Sequence, residues 1–220
     1  MSRLSILLLL ALVASGLSGC GRQVYRAAVP NTTLNCVSGL DAVSSRPLTY
    51  LAPKEDALDR RMEFAEVAAC VTLDGTALPV ALYRLDALEG PTEIDIRVLL
   101  SEGGTFAASA ELLDAGFQPV KHHGFTDFVR RTNEYSLSVF VDPARPQAPR
   151  YLLLRPDAAV VGQDDRSITS QSSAFMLPGG GAYRFGKETT RSRPLIGAGQ
   201  LQVVAYRARR AAFENDGTAR

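Results

Sequence analysis

The chain has 220 residues, with 24 Lys and Arg against 23 Asp and Glu, so its formal charge is +1. A balance this even excludes the strongly basic faces that hold nucleic acid or an anionic membrane surface by charge. The length can bury a core in one domain or in two small ones, and three cysteines with two histidines leave little for a metal centre.

The start is a leader. Met1-Ser2-Arg3 is a short positive segment, and Leu4 to Val13 is apolar apart from Ser5. As a helix that run spans roughly 15 Å, about half a hydrocarbon core, which is too short to cross a bilayer. Small residues follow (Ala14, Ser15, Gly16), the layout of a secretory signal peptide over 1–19. Leu17-Ser18-Gly19-Cys20 resembles the lipobox of bacterial lipoproteins, an aliphatic residue and two small ones before cysteine. That resemblance implies a diacylglycerol-modified Cys20 at the mature N-terminus, acting as an anchor. Two or three acyl chains hold a protein on a membrane, whereas one does so only marginally. Gly21 stands where an Asp often retains such proteins at the inner membrane, so an outer-membrane address facing the periplasm is expected.

Residues 20–35 show no periodicity and are predicted to be a tether. Cys36 and Cys70 then remain, and an oxidising compartment favours their pairing, with two separate buried thiols as the alternative. A bridge closing a loop of roughly 35 residues contributes about 3–4 kcal/mol on the chain-entropy model.

From 53 to 69, "PKEDALDRRMEFAEVAA" admits two readings. It could be a helix with Leu58, Met62, Ala65 and Ala69 on one side, or a helical turn ending near Arg61 with a strand beginning at Met62 and Phe64. Thr92 to Val98 alternates, with Glu93, Asp95 and Arg97 opposite Ile94, Ile96 and Val98. Tyr135 to Val141 alternates too, Tyr151 to Leu154 is a continuous apolar run between prolines, and Leu201 to Tyr206 forms a last strand. Turn markers separate them at Asp74-Gly75, Glu89-Gly90-Pro91, Gly103-Gly104, Ala115-Gly116, Asp142-Pro143 and Gly179 to Gly181. Short strands at such intervals predict an all-β antiparallel sandwich, jelly-roll or Ig-like, over 36–210, with a disordered tail at 211–220.

The chemical motifs are weak. Gly181 to Lys187 ("GAYRFGK") has phosphate-loop spacing, but Glu188 stands where the Mg²⁺-binding hydroxyl belongs. Asp164-Asp165, and Asp86 with Glu89, lack the spaced oxygens of a calcium loop and read as solvated turns. His122 and His123 are adjacent, read as a hairpin loop with Gly124, and would point to opposite faces of a strand. A catalytic triad around His123 is the one enzymatic reading. No Trp is present to form a sugar platform, although seven Tyr and nine Phe remain.

The centre of the chain resembles the maltose-operon periplasmic protein (MalM) family. The matching residues are Gly75, Leu85, Gly90-Pro91, Ile94 to Leu99, Leu112-Leu113-Asp114, Phe117, Pro119-Val120 and Arg150-Tyr151-Leu152, over about residues 60 to 160. The resemblance implies strand over 62–73, no catalytic residues, no cofactor and a role beside maltodextrin uptake. A non-enzymatic envelope accessory is therefore expected, with carbohydrate or an envelope protein as partner and no nucleic acid. The closest rival is a structural or assembly lipoprotein that binds protein.

Overall fold

The computed structural model describes residues 36–142, 145, 147–176 and 182–208, with backbone alone for 167–176, 182–185 and 187–189. The leader, Cys20, the tether, Gly181 of the phosphate-loop-like segment and the 211–220 tail lie outside the described residues. The described residues fold as an all-β sandwich of two mixed sheets.

One sheet contains β1 (Arg46–Pro47), β3 (Ala69–Leu73), β4 (Thr76–Arg84), β7 (Ala108–Leu113), β8 (Pro119–His123) and β11 (Tyr151–Pro156). Its order is β1-β4-β11-β7-β8, with β3 also on β4. The other contains β2 (Arg61–Glu63), β5 (Thr92–Ser101), β6 (Gly104–Phe106), β9 (Val129–Arg130), β10 (Glu134–Val141), β12 (Asp164–Met176), β13 (Ala182–Ile196) and β14 (Gln200–Arg207). There β5 is central, flanked by β10 and β14. Pairing is antiparallel except for β1 with β4 and β13 with β6.

The alternation of β5 sorts its side chains. Ile94, Ile96 and Val98 point inward with Leu137, Val139, Leu201 and Val203, and meet Ala81, Tyr83, Leu152 and Leu154 of the facing sheet. Full burial of each such aliphatic chain is worth roughly 1.5–3 kcal/mol. The Tyr83 hydroxyl donates to Met62 Sδ at 3.2 Å. Burial, opposed by the Arg46 charge, pushes this phenol up to about 12.

A second, smaller core lies on the other face of the first sheet. Val71, Val80, Leu82, Leu113 and Leu153 are covered there by Val37, Leu40 and Val43. Cys36 and Cys70 are joined by a disulfide. Beside it the Val37 amide donates to the Cys70 carbonyl at 3.0 Å, and Thr72 donates to the Val37 carbonyl at 2.8 Å. The strap 37–43 is thus laced along β3. This second core explains why Leu152 to Leu154 is continuously apolar: its residues alternate between two cores rather than between core and solvent.

The ambiguous 53–69 segment takes the split form. A 3-10 turn (Ala57–Arg60) ends as β2 begins, but Phe64 opens a one-turn helix (Phe64–Val67) instead of extending the strand. Phe64 is fully buried against Phe106, with ring centroids 4.7 Å apart, and its amide donates to the Gly199 carbonyl. Packing overrides the strand pattern at that point. Asp74 and Gly75 both have positive φ, as a two-residue hairpin requires.

Strands β12 and β13 are not marked by apolar alternation in the sequence. They pair along thirteen residues of β12, from Asp164 with Pro194 to Met176 with Ala182, a ribbon of roughly 40 Å. Only Leu195 and Ile196 pair with β6. At the base, Asp165 accepts from Arg130 Nη1 at 2.7 Å and from the Tyr135 hydroxyl at 2.8 Å. Gly104, at φ 142°, lets β6 approach; a Cβ there would lie 2.8 Å from the Pro194 carbonyl oxygen.

Candidate functional site

The outward face of the larger sheet carries the polar half of the β5 alternation. Cross-strand register builds three rows: Gln202, Arg97 and Ser136; Val204, Asp95 and Ser138; Tyr206, Glu93 and Phe140. Arg97 forks onto Asp95, with Nε and Nη2 both 2.7 Å from Oδ2, and Nη1 lies 3.5 Å from Glu134 Oε1. Arg131 Nε donates to Ser136 Oγ at 3.3 Å. Burial raises the Tyr206 phenol above its ordinary range; the Asp95 carboxylate adds to this and Arg97 opposes it.

Three residues of this face are buried although it points away from the main core. Asp95 is 8% exposed, Val204 3% and Gln202 1%, and Val204 belongs to neither hydrophobic cluster. The Gln202 Nε2 donor is buried without a hydrogen-bond partner. A buried polar group left unpaired costs about 1–3 kcal/mol, so nearly all such groups find partners. The Gln202 amide lies closed to solvent beside the carboxylate–guanidinium pair, so it can donate to an incoming acceptor only if the side chains covering it move aside. Tyr206 and Phe140, both half-buried, stand on the two strands flanking β5, roughly 10 Å apart, with Glu93 between them. Carboxylates that accept, an amide and guanidinium that donate, and aromatic rings at the margin match a polyhydroxylated ring with apolar C–H faces.

The histidines end β8 instead of forming a hairpin loop; the hairpin turn lies at 114–118. They do part to opposite sides. His122 Nδ1 sits 3.2 Å from Glu111, whereas His123 Nδ1 lies 3.6 Å from Asp127, whose Oδ2 also accepts the Gly124 amide. His123 Nε2 is buried, and no hydroxyl among the described residues is hydrogen-bonded to it. Burial, followed by the Lys121 charge, lowers the His123 pKa. Among the described residues no three His, Cys, Asp or Glu are grouped to hold a metal ion, and Asp165 is engaged with Arg130 and Tyr135.

A cleft of about 460 Å³ opens beside β8, lined in part by Leu112, Val120, Lys121, Phe140 and Arg145. Phe140 borders both this cleft and the polar face. The sequence alternation placed Asp95 and Arg97 on one face, but nothing in "LQVVAY" marks Gln202 as buried and unpaired. No family model, no curated protein and no solved structure matches the chain.

Proposed function

We propose that this chain is a non-enzymatic accessory protein of the bacterial envelope that binds carbohydrate on the outward face of its larger sheet. It is held by lipid at Cys20 on the periplasmic side of the outer membrane. The observation that carries the binding reading is the orphan Gln202 amide beside the Asp95–Arg97 pair, framed by Tyr206 and Phe140. The Leu17 to Cys20 motif supports the anchor, and the MalM-like pattern of strands and turns supports maltodextrins as the sugar class.

Isothermal titration with maltodextrins tests the reading directly: heat is expected in the micromolar to millimolar range, and its absence there would remove sugar as the ligand. The sugar should be recovered intact, and release of shorter chains would overturn the non-enzymatic part. Mass spectrometry of protein from cells should find acylated Cys20 at the N-terminus; retention of residues 1–19 would remove the anchor. The second reading, an envelope-protein partner, is favoured by the cleft, whose Leu112, Val120 and Phe140 suit an apolar segment.

A further inference from the structure

Exposed strand edges invite pairing with other chains, and proteins normally shorten or charge them, interrupt them with proline or bulge them. Almost every edge described here follows that rule. Strands β1 and β9 have two residues each, and β2 has three. The free side of β3 is occupied by the 37–43 strap. Strand β8 carries Pro119 and Lys121, and its pairing slips at Leu112/Leu113. Within the ribbon, β13 passes through Arg184, Lys187, Glu188, Arg191, Arg193 and Pro194.

Two stretches depart from it: residues 137–141 of β10, which runs on past its two pairs with β9, and the longer β12. From Ser167 to Met176 it reads "SITSQSSAFM", without a charge or a proline, and its only strand partner among the described residues is β13. An undefended edge of this length is a template for about one hydrogen bond per residue. We propose that β12 pairs antiparallel with β12 of a second copy of this chain, forming a four-stranded ribbon across a two-fold axis.

Closure selects that occupant. Self-pairing uses both β12 edges at once, because an isologous contact presents the same strand from each side. The new outer edges are then the two β13 strands, which carry charge and proline, so assembly stops at two copies. A foreign strand would satisfy β12 only by exposing an edge of its own. Ser and Thr dominate the run, and such residues pair tolerantly across antiparallel strands.

Sedimentation of the full chain in detergent should give twice the protomer mass, with slow amide exchange at 167–176 that quickens on dilution. Ser170→Lys combined with Ser172→Lys puts like charges along the contact and should weaken the dimer about tenfold or more. Unchanged slow amide exchange at Ile94 and Ile96 in that variant would show that the sandwich is intact. A monomer with fast exchange at 167–176 overturns the proposal. So does a monomer with slow exchange there, since the edge would then be covered by the chain itself, and so does a dimer that the lysines leave undisturbed. Protection that appears only when another envelope protein is added would identify a foreign strand and equally exclude self-pairing.

Discussion

Gln202 can be separated into structural and binding roles by one substitution. Gln202→Leu keeps the volume and removes the orphan donor, so stability in urea should rise by about 1 kcal/mol while maltodextrin heat is lost. A destabilised variant that still binds would show that the amide serves the fold. His123 gives a pH signature. Its pKa in the folded state lies below the ordinary 6.5, chiefly through burial and then Lys121, with Asp127 opposing. The unfolded chain therefore binds the proton more readily, and stability is full above the unfolded pKa and falls as pH drops through it. His123→Gln should flatten the stability profile between about pH 5 and 7, read by urea midpoints. An unchanged slope would mean that other groups set it. These single-residue features were only half legible: alternation assigns a face, whereas burial and pairing depend on strands distant in sequence.

Among the elements, the 37–43 strap is the clearest case of one held by a single covalent link. Replacing Cys36 and Cys70 by Ser should cost about 3–4 kcal/mol by the loop-entropy relation. The loss should be local first: amide exchange at Val37 and Thr72 should quicken before that of Ile94 or Ile96. Equal protection in the reduced and oxidised protein would contradict this. Gly104→Ala is the corresponding test of the ribbon base, because its Cβ meets the Pro194 carbonyl and its φ is left-handed. A cost of about 1–3 kcal/mol is expected, visible as a lowered urea midpoint. The strap and the ribbon differ in how they show in sequence. The cysteines marked the strap, whereas β12 hides because its uncharged Ser and Thr residues lack the apolar alternation by which β5, β10 and β14 were read.

For the molecule as a body, two cores share one sheet, and this is why its central strand β11 looks like a buried run. The larger sheet packs its inner face into the main core, and on the outer rows of β14, β5 and β10 Glu93, Arg97, Tyr206 and Phe140 stay partly exposed while Asp95, Val204 and Gln202 are buried. Fold class was readable because turns and period-two strands are local. The proposed binding face was not, because it is assembled from three strands spread between residues 92 and 207. The most direct test is the side-chain amide resonance of Gln202 in a ¹⁵N spectrum during titration with maltotriose. It should shift and saturate together with the backbone signals of Asp95, Arg97 and Tyr206. A spectrum unchanged on this face, or one in which only the cleft residues Val120 and Lys121 respond, would contradict a sugar site built on these strands.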